Sequence, residues 1–219
     1  MGQKIRPDSF RLGINKPWLS RWFFKNRPAK LLAQDETIRT VINQQMNKGG
    51  ITNIEIERTV GRTKIIIHAA RPGLIIGRGG ENIAALEKSL NKALVKLDPS
   101  AADKKFPLNI NIEEIKRGDV SASLIAQQIA WDIAKRFRYR RTIKKYLEQA
   151  AENRNVKGVK IKISGRLDGA EIARSERLVR GKIPLQTIRS DIDYGQTTAF
   201  TNTGTIGIKV WLYKGDIFK

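Results

Sequence analysis

Cysteine is absent from this chain of 219 residues, and histidine occurs once, as His68. The first absence excludes disulfides, zinc knuckles and thiol catalysis, and it fits a reducing compartment. The second leaves little for a histidine-based metal centre or acid–base site, because the one imidazole lies in an apolar strand with no evident partner. Acidic residues are scarce beside basic ones, 21 Asp and Glu against 42 Lys and Arg, for a formal charge of +21. Such an excess repels itself unless a polyanion neutralises it. Apolar runs are only a few residues long and no charged-then-apolar segment opens the chain. A soluble, non-exported cytoplasmic protein with no membrane partner is expected. Met1-Gly2 is no myristoylation signal, since Arg6 stands where Ser or Thr is required. A GxxxxGK[ST] loop is missing too, which removes P-loop nucleotide hydrolysis.

What is present suffices for two modest cores, since 40% of residues are hydrophobic and periodic segments are long. Residues 1–30 hold eight Lys and Arg, one acid (Asp8), prolines at 7, 17 and 28, and the aromatics Phe10, Trp18, Trp22, Phe23 and Phe24. This reads as a basic aromatic arm over residues 1–34, its rings mostly packed on the body. Asp35 is placed to cap a helix with Ile38, Val41, Ile42 and Met46 on one face, stopped by Gly49-Gly50. Alternation in 53–59 predicts a strand, Val60-Gly61-Arg62 a turn, and 64–69 a second strand. Ile83, Leu86, Leu90, Ala93, Leu94 and Leu97 repeat as one buried helical face, and Leu108, Ile110 and Ile112 alternate as a third strand. Helix, strand, strand, helix, strand is a compact α+β unit over 35–115. Over 116–219, a helix with Leu124, Ile125, Ile129, Ile133 and Phe137 and another with Ile143, Tyr146, Leu147 and Ala150 precede strands. Alternation around Lys160, Lys162 and Lys209 predicts an antiparallel sheet with a lysine-rich polar face.

Between the second strand and the following helix lies Ile75-Ile76-Gly77-Arg78-Gly79-Gly80-Glu81-Asn82-Ile83. Glycines without Cβ let a phosphodiester approach the main chain, and the free N–H groups of a helix N-terminus favour phosphate oxygens. A GxxG stretch alone is also an ordinary turn. The apolar pair before it and Ile83 after it point to a KH-type RNA-binding module, in which Gly77, Arg78, Gly79 and Gly80 meet RNA.

The densest charge is Lys135-Arg136-Phe137-Arg138-Tyr139-Arg140-Arg141-Thr142-Ile143-Lys144-Lys145, seven cations in eleven residues with no acid among them. As a helix it aligns Arg136, Arg140 and Lys144, with Arg141 beside them, and leaves Phe137 and Ile143 as anchors. A solvated helix face is the ordinary explanation of a charge run, but like charges this dense repel unless phosphates lie nearby. Asp191-Ile192-Asp193 has the spacing of a metal nuclease pair, yet Arg189 explains it more simply as an ion-paired strand. No metal, cofactor or catalytic cluster is expected.

These blocks together resemble the bacterial small-subunit ribosomal protein three family, KH-domain proteins of the ribosomal head. The resemblance rests on Gly2-Gln3-Lys4, Arg11-Leu12-Gly13, the block Trp18 to Phe23, Ala70-Arg71-Pro72-Gly73, the block Ser164 to Arg174, Pro184-Leu185, Arg189 to Tyr194, and Gly207 to Trp211. It implies a type II KH domain followed by a second α+β domain with an antiparallel sheet. It further implies a non-enzymatic, structural protein that binds small-subunit ribosomal RNA and lines the channel through which messenger RNA enters. Neighbours would be small-subunit proteins ten and fourteen in the head, and four and five at the channel. RNA contacts are expected from Gln3, Lys4, Arg6 and Arg11 as well as the glycine loop, and from Lys135, Arg136, Arg138, Arg140, Arg141, Lys144 and Lys145. The chain departs from the family's habit at Gly79, where lysine is frequent, and at Asp168, where glycine is common. A free KH regulator of messenger RNA leaves the second domain unexplained, and an RNA-processing enzyme lacks its acid, base or metal.

Overall fold

A computed structural model describes residues 4–23, 28–46, 49–59, 62–97, 107–115 and 119–218. Two compact units result: one spans Trp18–Ile115, and the other joins Met1–Pro17 to Lys116–Lys219. The segment 1–34 is therefore shared between them. Residues 4–17, with the one-turn helix α1 (Pro7–Phe10), pack with the C-terminal unit, while Trp18 onward belongs to the other.

In the unit 18–115, β1 (Ser20–Trp22) precedes α2 (Pro28–Gln45), β2 (Ile51–Thr59), β3 (Arg62–Ala69), α3 (Pro72–Ile76), α4 (Glu81–Leu97) and β4 (Leu108–Glu114). The sheet order is β1-β2-β3-β4, with β2 and β3 antiparallel and β4 parallel to β3. Parallel pairing demands a long crossover. Here α3 and α4 supply it, which gives the type II KH arrangement. The apolar faces of α2 and α4 cover one side of the sheet, so Ile38, Ile42, Ile54, Ile56, Ile65, Ile67, Leu86, Leu90 and Leu94 form the core.

Three expectations change. α2 starts at Pro28, whose missing N–H costs nothing in a first turn, so Asp35 is mid-helix rather than a cap. Its buried carboxylate accepts Arg58 Nε and Nη2 at 2.8 and 2.7 Å and Trp22 Nε1 at 2.8 Å, while Gln34 accepts Arg58 Nη1 at 3.0 Å. α4 buries only Leu86, Leu90 and Leu94 of its expected face; Leu97 is exposed, and Ile75 on α3 is the fully buried anchor beside the loop. The arm's rings do not mostly pack: Phe10, Trp18 and Phe23 are exposed, and Phe24 lies outside the described residues, as does the turn at 60–61.

The C-terminal unit has α5 (Ala122–Ala134), α6 (Tyr139–Ala151), β5 (Gly158–Gly165), β6 (Arg174–Gly181), β7 (Ser190–Thr201) and β8 (Gly204–Asp216). Its antiparallel sheet runs β6-β5-β8-β7. Both helices pack on one face, over Val159, Ile161, Ile163, Ile208, Val210 and Leu212. β7 also seats the start of α5: Asp193 Oδ2 accepts the Ala122 N–H at 2.9 Å, and any Cβ on Gly195 would overlap the Ala122 carbonyl.

Candidate nucleic-acid interface

The basic run is not one helix. α5 ends at Ala134, and Arg136 takes φ 65° while its N–H bonds to Ile133 O at 2.9 Å and that of Phe137 to Asp132 O at 3.1 Å. These two bonds form a Schellman cap, with arginine in the left-handed position that glycine usually fills. The strain is on the order of 1 kcal/mol. It is offset in part because Lys135 and Arg136 sit at the negative end of the α5 dipole. Phe137 is left 58% exposed and does not anchor the run.

α6 restarts the helix at Tyr139, and its apolar face is Tyr139, Ile143, Tyr146, Leu147 and Ala150. Tyr139 thus takes the anchoring role expected of Phe137. Tyr146 gives its hydroxyl to Asp132 at 2.9 Å, and burial with that carboxylate pushes its phenol up to about 12. The outward face carries Arg140, Arg141, Lys144 and Lys145, and all seven cations of the run are exposed. Two have acidic partners that the run itself lacks. Arg140 Nη2 meets Glu176 of β6 at 2.9 Å, and Lys144 meets Glu148 at 4.0 Å. Tyr139 donates to the same Glu176 at 2.6 Å. Hydrogen bonds from Arg140, then Tyr139, hold the Glu176 carboxyl below its ordinary range.

The glycine loop stands at the N-terminus of α4. Gly77, Gly79 and Gly80 have φ 75°, 60° and 82°, conformations that side chains rarely adopt, and a Cβ on Gly79 or Gly80 would meet nothing. Conformation rather than space requires glycine at 79 and 80. Arg78 is exposed. Glu81 follows in the first turn of α4, so the loop presents one cation and one acid to any phosphate.

The arm's candidates separate. Gln3 lies outside the described residues, and Lys4 and Arg6 are exposed. Arg11 is a correction: it is fully buried, with Nε on Ser190 O at 2.6 Å, Nη1 on Pro7 O at 3.1 Å and Nη2 on Thr187 O at 2.7 Å. Its donors clamp α1 to the chain before β7 and are not presented to RNA. Two other readings are corrected. His68 has partners, with Nε2 3.4 Å from Glu55 and Nδ1 3.5 Å from Glu113. Arg189 pairs with Asp216 at 3.5 Å rather than with Asp191, and a bulge separates Asp191 from Ile192. Asp193 is committed to capping α5. No group of three or more His, Cys, Asp or Glu placed for a metal occurs among the described residues, and no helix of theirs is long and apolar enough to cross a membrane.

A type II KH fold with an open glycine loop, in one chain with a second and strongly basic α+β unit, defines a two-domain RNA-binding protein. The KH domain family matches residues 37–119, and the family described as "Ribosomal protein S3, C-terminal domain" matches residues 129–212. The "Small ribosomal subunit protein uS3" of Desulforamulus reducens is 44% identical over 218 residues, covering 99% of this chain and 94% of that protein. That of Dictyoglomus turgidum is 46% identical, with 99% and 85% covered. The uS3 of Solibacter usitatus is 42% identical, and the chain spans 60% of its length. The chain belongs to the small ribosomal subunit protein uS3 family, a family of ribosomal proteins and not of enzymes.

Proposed function

We propose that the protein binds ribosomal RNA in the head of the small subunit and lines the channel through which messenger RNA enters, where it holds the message and helps to open it. The observation that carries this is the α5–α6 turn and α6: buried Tyr139 and Ile143 fix a helix whose outer face offers Arg140, Arg141, Lys144 and Lys145 to solvent. Rigidly held cations grip a backbone without reading bases, so they act on every message. Lys135, Arg136 and Arg138 extend the same charge before the helix. Arg78 and the main chain of Gly77, Gly79 and Gly80 form a second, weaker contact, and Lys4 and Arg6 a third. Small-subunit proteins ten and fourteen in the head, and four and five at the channel, are the proposed neighbours, and the cytoplasm is the proposed location.

Replacing Arg140, Arg141 and Lys144 by Ala tests this reading. Assembly into small subunits should persist, while translation through structured messages slows relative to unstructured ones. Equal rates on both kinds of message would overturn the channel role. Of the single variants, Arg141→Ala should slow translation most, because Arg140 and Lys144 already share their charge with Glu176 and Glu148.

A further inference from the structure

The C-terminal sheet has a second face, turned away from α5 and α6. Because Val159, Ile161, Ile163, Ile208, Val210 and Leu212 lie beneath the helices, their alternates Lys160, Lys162, Lys209 and Trp211 point the other way. Lys162 stands opposite Arg177 on β6 and Lys209 on β8, and Lys209 stands opposite Gln196 on β7. The neighbouring row holds Val179, Lys160, Trp211 and Tyr194. With strands about 4.8 Å apart and alternate residues about 6.7 Å apart, four cations share a patch on the order of 10 by 7 Å. Neither row contains an acid, and Lys160, Lys162, Arg177 and Lys209 make no ion pair among the described residues. Burial holds the Lys160 amine below its ordinary range, and Lys4, Arg177 and Lys162 add to the effect.

The two rings beside these cations are already engaged, whereas Phe200, the exposed ring on this face, stands four residues beyond Gln196 along β7, about 13 Å from the patch. Lys160 Nζ lies 5.0 Å from the Trp211 ring centre, Trp211 and Tyr194 are 5.4 Å apart, and the Arg6 guanidinium lies 5.3 Å from Tyr194. A single strand gains much of its affinity by stacking bases on free aromatic faces next to the cations, and the two rings within the patch are both engaged. A duplex has its bases stacked internally and offers phosphates and 2′-hydroxyls instead. We propose that this open sheet face, through Lys160, Lys162, Arg177 and Lys209, binds the phosphodiester backbone of double-helical ribosomal RNA without reading its sequence. The proposal rests on the reading of the chain as a ribosomal-RNA-bound protein. It adds a contact on the side of the sheet opposite α6, so that this unit could engage ribosomal RNA and a message at once.

The test uses the full chain carrying Lys162→Gln, Arg177→Gln and Lys209→Gln, with binding measured across a salt series to a short RNA duplex of arbitrary sequence and to oligouridine of equal length. For duplex RNA, the double-logarithmic salt slope should become shallower by about 2 to 3, with affinity falling at least about tenfold at moderate salt. Oligouridine binding should change by less than about twofold. Should the triple variant lose its native circular dichroism, Arg177→Gln alone, exposed on the edge strand, should still remove about 0.9 of slope on the duplex. An unchanged duplex slope in a folded variant would overturn the proposal, as would equal losses on duplex and oligouridine. Failure of the unaltered protein to bind the duplex would also overturn the proposal, whereas its failure to sediment with small subunits would overturn the reading beneath it.

Discussion

The two units carry their positive charge differently. The unit 18–115 has sixteen Lys and Arg against ten Asp and Glu, net +6, whereas the unit formed by 1–17 and 116–219 has twenty-six against eleven, net +15. In the first, carboxylates answer the cations: on the sheet Arg21 meets Glu55 and Glu57 and Lys64 meets Glu57, and in the interior Arg58 of β2 meets Asp35 of α2. In the second, the open sheet face and Arg141 have no such partners among the described residues. A field that attracts phosphate needs uncompensated charge, and it is concentrated in the C-terminal unit. The glycine loop of the KH unit pairs a shaped main chain with one cation, Arg78, at its tip.

The contrast extends to the interior, where, among the described residues, each unit buries one arginine. Arg58 is neutralised by Asp35, but Arg11 is held by carbonyl oxygens alone. Breaking the first should have the largest effect on stability. Asp35→Ala leaves a buried guanidinium without its counter-charge, and we expect a loss of about 3–5 kcal/mol in denaturant unfolding of the full chain. Trp22, which donates to Asp35, is a natural fluorescence reporter of that unit. A loss under about 1 kcal/mol would mean that water reaches the pair and that the units do not differ in this respect.

Arg11→Met should come next. It leaves Ser190, Thr187 and Leu185 carbonyls without their donor, and we expect a loss of about 2–3 kcal/mol, confined to the C-terminal unit. Because the guanidinium is buried, the salt dependence of RNA binding should not move. A shallower slope in the folded variant would return Arg11 to the RNA contacts and blur the line between its charge and that of the open sheet face.

Much of this fold was legible because burial leaves a periodic trace. β5 and β8 alternate so regularly that their lysine-bearing face could be read directly, and the α4 core of Leu86, Leu90 and Leu94 has helical spacing. What escaped were partnerships across long stretches of chain. Asp35 resembled a cap because it precedes an apolar helical face, and only folding brings Arg58 to it. Arg11 resembled a surface cation because its acceptors are main-chain carbonyls, which every residue carries. Arg136 concealed the end of α5 because no glycine, proline or asparagine marks that left-handed turn. Hence Phe137 was read as the anchor when Tyr139 is. The seven cations were visible as a group, but the restraint that Glu176 places on Arg140 was not.

That restraint yields the smallest and most diagnostic effect. Arg140 and Tyr139 both donate to Glu176, and they hold its carboxyl below its ordinary 4.5. A carboxylate depressed in the folded state stabilises the fold above its unfolded pKa, and that contribution fades as pH falls through the lower folded value. Near neutrality Glu176 is therefore charged and partly neutralises Arg140. Glu176→Gln should release one cation, steepening the salt dependence of oligouridine binding by about 0.7 and strengthening binding modestly. The duplex slope should stay as it was, since Glu176 lies on the helix-covered side of the sheet with Tyr139 and not among the open-face lysines. Lowering the pH through the depressed folded value of Glu176 should reproduce part of the gain in the unaltered protein, a step that the variant lacks. Equal steepening on duplex and oligouridine would mean that α6 and the open face act as one continuous field rather than as two separate contacts.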